Sequence, residues 1–431
     1  MKKIICMVLC AVLVAGLFAG CDTNESNATK GSAGTEAPGV FQVGYCAVDI
    51  TPDFAVNTSS AGVSTDGARE HIFSTCIALQ SANGEIYLIY HNDLVTTPID
   101  PIGFILKKIG ETTGVPVGNM LVHATHTHLA PRVSYGQFDN ITKYNALLDD
   151  WMVEAAVNAI ADLKPAKMYS SVIETKNMNF LRHYYMKDGT VAGDNFGSKA
   201  SGYLDQVGDP DNTLSLVKFV REGCKDVILA NFQTHPHRAR GNIVTSDIVG
   251  VMREEVEALL DCQFAYFTGA AGNVNPHSKF AEENVTDSYL SQGVALAEYA
   301  VKAAANFKEL DTSGEIQFLQ HTYKAEPKEG TGTAPDINMN VLSIGEFAFV
   351  AAPYEMFDSN GRYIKDNSPF EMTFIATLGY YTVPYIPDYD GYEYEGVGLS
   401  YEGEECLYVR GTGEKLAEKY VQMLNEIYKA K

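Results

Sequence analysis

Short apolar runs of strand length alternate with longer amphipathic runs over most of this chain, and that alternation admits little besides sheets covered by helices. Residues 72–80 and 86–91 read as two strands joined by a turn at Ala82-Asn83-Gly84. Residues 101–110 read as helix and 120–125 as another short strand. An Ala-rich amphipathic helix over 144–163 is stopped by Pro165, and 167–173 resumes as strand. Strands at 214–220 and 227–233 flank a turn at Gly223, followed by a helix over 248–260, a strand at 264–267 and a long helix over 289–305. Further strands fall at 316–323 and 339–351, the second turning at Gly345. At the end Leu416, Tyr420, Leu424 and Tyr428 recur every fourth residue as the buried stripe of a closing helix. The polar, Gly/Pro-rich stretch 324–338 is either a domain boundary or a surface loop.

The 431 residues are 46% hydrophobic and 20% charged, a composition that excludes disorder as the main state. Lys plus Arg (32) against Asp plus Glu (54) leaves a net charge of −22, which repels phosphate backbones and argues against nucleic acid as a partner. Residues 1–20 read as a signal peptide: Lys2-Lys3, an apolar run from Ile4 to Phe18, then Ala19-Gly20 before Cys21. The last residues resemble a bacterial lipoprotein cleavage box, so Cys21 is expected to carry lipid, with cleavage by the ordinary secretory peptidase as the competing reading. Residues 21–40, almost without apolar side chains, read as a flexible tether, and 41–431 as the folded body. The expected location is the bacterial cell surface or the periplasmic side, with the membrane engaged through Cys21. No later run approaches the 18 or so apolar residues of a spanning helix. The other mature cysteines, Cys46, Cys76, Cys224, Cys262 and Cys406, are scattered without a CxxC pair and are expected as free thiols.

Chemistry concentrates where strands end in histidine. Val122-His123-Ala124-Thr125-His126-Thr127-His128 leaves one apolar strand, and in extended chain His126 and His128 share a face while His123 points the other way. The pair can converge on one ion, or one can bind while its neighbour moves a proton; hydrogen-bonded surface histidines are the plainer alternative. Gln233-Thr234-His235-Pro236-His237 follows a second strand, with His235 the better-placed ligand and His237 expected outside. Thr268-Gly269-Ala270-Ala271-Gly272-Asn273-Val274-Asn275-Pro276 follows a third, where the glycines suit a loop offering amide N–H groups to a substrate or oxyanion, or simply a tight turn. No HExxH helix and no complete phosphate cradle are present.

Taken in order, VGYCAVDITP (43–52), Asn92-Asp93, ATHTHLAP (124–131), NFQTHP with Ser246-Asp247, GAAGNVNP, Pro353-Tyr354-Glu355 and Tyr385-Ile386-Pro387 resemble the catalytic domain of the neutral/alkaline (non-lysosomal) ceramidase family. The resemblance runs over about 41–431 and implies an α/β fold of mixed β-sheets packed between helical layers, in a shorter relative without the family's C-terminal β-sandwich. It implies a Zn2+-dependent amide hydrolase with His126, His235, Glu355 and Tyr385 as metal ligands and His128 as the proton-transfer residue. Arg182, in the segment that begins with Asn179, is implied as a substrate-associated catalytic residue. Gly272, Asn273 and Asn275 would form the substrate loop, and Asp93 and Asp247 would support the ligands from behind. A zinc ion with an open position acidifies bound water to a pKa of roughly 7 and polarises a carbonyl, which suits a small-molecule or lipid amide substrate. The family's Gly-Asp-Val-Ser-Pro segment reads Gly-Asn-Val-Asn-Pro here, so a serine nucleophile is excluded at that place. A surface lipoprotein that kept this fold to bind sugar or lipid without catalysis is the main rival, and a metal-dependent phosphatase or esterase a weaker one.

Overall fold

Strands that are apolar at successive positions must be covered on both faces, and the structure covers them so. The computed structural model describes residues 39–97, 102–133, 138–193, 202–278, 286–312, 315–380, 383–394 and 397–430. The expected signal peptide, Cys21 and nearly all of the tether lie outside the described residues. The main sheet contains β1 (Gln42–Asp49), β2 (Phe73–Gln80), β3 (Ile86–Asn92), β4 (Met120–Ala124), β5 (Lys164–Glu174), β6 (Thr213–Arg221), β7 (Val227–Phe232) and β8 (Gln263–Thr268). Their spatial order is β8-β7-β6-β5-β1-β2-β3-β4, and a short β9 (Lys308–Leu310) also pairs with β5. Two pairs, β3–β4 and β7–β8, are parallel. A parallel pair needs a crossover, and here each has a helix: α1 (Ile102–Thr113) between β3 and β4, then, after α2 (Asp139–Ala161), α3 (Asp247–Leu260) between β7 and β8. The long helix expected near residue 289 is α4 (Tyr289–Ala304), opened by a reciprocal Ser288–Ser291 capping box.

A second sheet is built from β10 (Gln317–Tyr323), β11 (Ile337–Ile344) and β12 (Phe347–Ala351). The chain then forms β13 (Tyr354–Met356), returns to β12 in parallel as β14 (Met372–Ala376), and pairs β15 (Val383–Ile386) in parallel with β13. The polar 324–336 stretch joins the antiparallel neighbours β10 and β11, so it is a connection inside this sheet. Alternating side chains sort into layers. Val43, Tyr45, Ile77, Leu121 and Phe267 meet Phe347, Phe349 and Phe374 between the two sheets. Cys76, Ala78, Met120 and Val122 face α1 and α2 instead, and Ile228, Ala230 and Phe264 face α3 and α4. The outer face of the second sheet is closed by the last helix. The result is the α/β class that the sequence pattern implies, in the arrangement of mixed sheets between helical layers that the family resemblance implies.

In the closing helix (Thr412–Lys429) Leu416, Tyr420 and Leu424 are buried, whereas Tyr428 is 36% exposed and Ile427 takes its place. Every-fourth spacing on a 3.6-residue turn drifts by about 40° per step, so the fourth member leaves the buried stripe. The five described cysteines are free. No helix among the described residues is long and apolar enough to cross a membrane.

The main sheet rolls until the C-terminal ends of its two edge strands meet. Thr268, ending β8, donates its hydroxyl to the Thr125 carbonyl at 2.6 Å and its N–H to His123 Nε2 at 3.2 Å, just past β4. The second sheet seals the junction: Asn231 bonds both Phe267 O and Ile375 O at 2.8 Å, and the Tyr380 N–H reaches Val122 O at 3.0 Å. All three histidine- and glycine-bearing segments therefore leave the sheet at one place. Tight seating of α2 on β1 is part of the same roll, since a Cβ on Gly44 would lie 1.9 Å from Ala159 O. Gly44→Ala is expected to cost about 1–3 kcal/mol through overpacking, seen as a lower urea midpoint at unchanged m-value.

Candidate metal centre

After β4 the chain turns. Thr125 N–H bonds Asn92 O at 2.9 Å, His126 N–H bonds Leu94 O at 2.9 Å, and His126 itself takes a left-handed φ of 71°. This turn, not strand alternation, brings His126 and His128 together, with ring centroids 4.8 Å apart and nearly perpendicular. His123 points the other way as expected, stacked near parallel on His91. The Val95 carbonyl accepts from His126 Nδ1 at 2.6 Å, which directs Nε2 away from the backbone. Asp93 touches no candidate ligand. It accepts from Phe73 N–H at 3.0 Å and Arg253 at 2.6 Å, pinning the turn that presents Leu94 and Val95.

His235, three residues beyond β7, is fixed twice by one carbonyl: Val274 O accepts its N–H at 3.2 Å and its Nδ1 at 3.0 Å. His237 does not lie outside: its ring centroid is 5.3 Å from those of both His128 and His235, because Asp247 pulls the following segment inward by accepting Ala239 N–H at 2.6 Å. Glu355 in β13 lies directly opposite Tyr385 in β15, so two positions thirty residues apart are neighbours through a single strand pair.

The segment carrying Gly272, Asn273 and Asn275 behaves as a buttress. Gly272 N–H is spent on Met356 O at 2.7 Å and Val274 N–H on Ala271 O at 2.9 Å, so neither is offered to an oxyanion. Asn273 Oδ1 accepts Asp358 N–H at 2.9 Å, and Asn275 pairs with Phe180. Gly272 is required sterically, since a Cβ there would sit 2.8 Å from the carbonyl oxygens of Glu355 and Met356. Asn179 bonds Asp211 O and Gln233 O at 2.8 Å, and Arg182 is wholly buried behind Tyr385, its carbon 5.1 Å from that ring.

Four donors converge. Glu355 Oε2 is 3.0 Å from His235 Nε2 and 3.4 Å from His126 Nε2, and His128 Nε2 is 3.3 Å from His126 Nε2. Ligand atoms of His126, His128 and His235 all lie within 4.8 Å of one another. Burial opposes charge on Glu355, but His126 and His235 overcome it and hold its pKa well below the usual carboxylate range. Burial likewise depresses His126, yet Glu355 reverses this and raises it; His235 and His128 remain lowered, chiefly by burial. Burial, then Glu355, raises the Tyr385 phenol well above its ordinary value, against the opposing pull of Arg182. Two imidazoles with Nδ1 committed to carbonyls direct Nε2 lone pairs at a carboxylate, a repulsive arrangement that a cation between them turns attractive. Imidazole, carboxylate and phenol donors fit a divalent ion of borderline softness.

Solved ceramidase structures are similar to this chain in fold. Neutral ceramidase from Pseudomonas aeruginosa superposes with a TM-score of 0.71 over 91% of this chain and 75% of that one, at 16% identity. A ceramidase complexed with C2 gives 0.71 over 91% and 76%, also at 16%. This chain has the fold of those ceramidase structures. No protein-family model and no curated protein matches the sequence.

The carbonyls of Val95 and Val274, the Ser60 hydroxyl 3.1 Å from His128 Nδ1, and Glu402, which bonds Arg182, also shape the site without a signal in the sequence. Backbone acceptors carry no residue signature, and Ser60 and Glu402 belong to no motif. Asp247 generates a pH prediction. Burial raises its pKa from 3.8 to about 6, so the folded state holds the proton more tightly than the unfolded chain. The associated stability is fully present below about pH 4 and lost as pH rises through about 6, a change of about 3 kcal/mol. Urea denaturation across that window should show this decline in the wild type and its disappearance in Asp247→Asn.

Proposed function

We propose that this chain is a zinc-dependent amidohydrolase of the neutral ceramidase type, anchored outside the cytoplasm through Cys21 and cleaving an N-acyl amide of ceramide-like kind. The observation that carries the reading is the convergence of His126, His235 and Glu355, with Tyr385 in register beside Glu355, on a ceramidase-like fold. His126, His235, Glu355 and Tyr385 would hold the ion, which when bound supplies Lewis acidity toward a carbonyl oxygen and a water molecule.

The three imidazoles divide by what their Nδ1 atoms meet. Those of His126 and His235 face carbonyl oxygens, which only accept, so each ring is locked in one tautomer as a ligand needs. His128 Nδ1 faces the Ser60 hydroxyl, which donates or accepts, so this ring can exchange its proton without losing the bond. His128 also lines a cavity of about 200 Å³ together with Ser60, His237 and Arg240. A ring free to change tautomer beside that space suits a group that takes a proton from water and returns it to the departing amine.

Metal analysis is expected to find one zinc per chain, abolished by His126→Ala and His235→Ala. His128→Ala should retain zinc and lose about 10²–10⁴-fold in kcat on a fluorogenic N-acyl amide. A wild type without stoichiometric zinc overturns the reading, whereas a zinc-loaded wild type inert toward every N-acyl amide and ester offered points to a binding lipoprotein. Mass spectrometry of the mature N-terminus tests the anchor: an unmodified residue downstream of Cys21 rejects it.

A further inference from the structure

Glu402 belongs to no motif, yet it is 0% exposed and 220 residues from its partner Arg182 in sequence. One carboxylate oxygen accepts Nε of Arg182 at 2.7 Å and lies 2.7 Å from Nη2 as an ion pair, and the other is 3.0 Å from His183 Nε2. With both oxygens engaged, the carboxylate fixes the guanidinium in one orientation. Arg182 then gives Nη2 to Gly272 O at 2.6 Å and lays its guanidinium over the Tyr385 ring, its carbon 5.1 Å from the ring centroid. Gly272 is itself bonded to Met356, beside Glu355. One buried cation thus ties together the strand of Tyr385, the strand of Glu355 and the loop whose Val274 carbonyl orients His235.

The short helix α5 (Tyr401–Glu405) delivers this contact, held by Ser400 Oγ accepting Gly403 N–H at 2.9 Å. Its first residue packs on the Tyr385 ring at 5.8 Å between centroids, and its second holds Arg182. Burying the Glu402–Arg182 ion pair here is costlier than apolar packing of the same volume, so its return is expected in geometry. Resting on the metal-centre reading above, we infer that Glu402 is a positioning residue, which through Arg182 fixes the Tyr385 phenol against the His126–His235–Glu355 cluster.

The experiment measures zinc affinity by chelator competition, and the visible spectrum of the cobalt-loaded protein, for wild type, Glu402→Gln, Glu402→Ala, Tyr385→Phe and the double variant Glu402→Ala/Tyr385→Phe. Glu402→Ala is expected to weaken zinc about 10- to 100-fold and to shift the cobalt spectrum as Tyr385→Phe does. Glu402→Gln should move both readouts the same way by less. The double variant should bind no more weakly than Tyr385→Phe alone, since both changes remove one interaction. Wild-type affinity and spectrum in the Glu402 variants, or additive losses in the double, overturn the inference while leaving the metal centre standing. Absence of zinc binding by the wild type overturns both. Should Glu402→Ala fail to fold, Glu402→Gln decides alone: an unchanged cobalt spectrum rejects the role.

Discussion

The contact between Thr268 and the Thr125–His123 strand end is the constraint from which the candidate site follows. An open sheet of eight consecutive strands would hold β4 and β8 far apart, because neighbouring strands are separated by about 4.8 Å. Rolling the sheet until those ends hydrogen-bond converts two remote edges into one rim. Both edges are parallel pairs, and in each the crossover helix lies on the outer face, leaving the inner face to the second sheet. The loops after β4, β7 and β8 therefore emerge side by side, and β13 and β15 from the second sheet complete the rim.

A site built this way concentrates polar groups in a dry place, and the protein meets the cost with fixed partners. Each of the two imidazoles nearest Glu355 is held by a backbone carbonyl, and the two carboxylates behind the site, Asp93 and Glu402, each face an arginine. These pairs differ in consequence. Asp93–Arg253 fixes a turn and reaches His126 only through Leu94 and Val95, whereas the Arg182 of the Glu402–Arg182 pair packs over the Tyr385 ring itself. Removing one member of either would leave an unpaired buried charge, which is why positions without any motif can matter as much as the histidines.

Much of the layout was legible because its signals are local. Strand and helix periodicity placed most of the main-sheet strands and the long helices but not β1 or β14, and histidines at strand ends marked the rim. Where the reading missed, longer-range geometry had decided. His126 and His128 meet through a left-handed turn that nothing in ATHTH announces. His237 was expected outside but is drawn in by the segment that Asp247 anchors. The GAAGNVNP segment looked like a donor loop because glycines permit close approach. The approach it makes is to the β13 backbone, with the Gly272 and Val274 N–H groups spent on backbone carbonyls while the Gly272 and Val274 carbonyls face Arg182 and His235. Spacing identifies which residues can come close; it does not say whether donors or acceptors will face the gap.

The same geometry separates the part of the ceramidase resemblance that fold can carry from the part that side chains must. Asn275 in place of the family serine would remove a nucleophile if that loop served as one, but here it pairs with β-bridge partner Phe180 and its neighbour Val274 braces His235. A loop in that role needs the right carbonyl direction more than any particular side chain, so Asn at 275 costs the arrangement little. What the arrangement cannot do without is a positive charge at the meeting point of His126, His235 and Glu355: two locked imidazoles and a carboxylate attract one another only through a proton or a cation. A proton serves one hydrogen bond at a time, whereas a divalent ion engages every donor together, and the backbone locks on both rings are the feature that favours the ion.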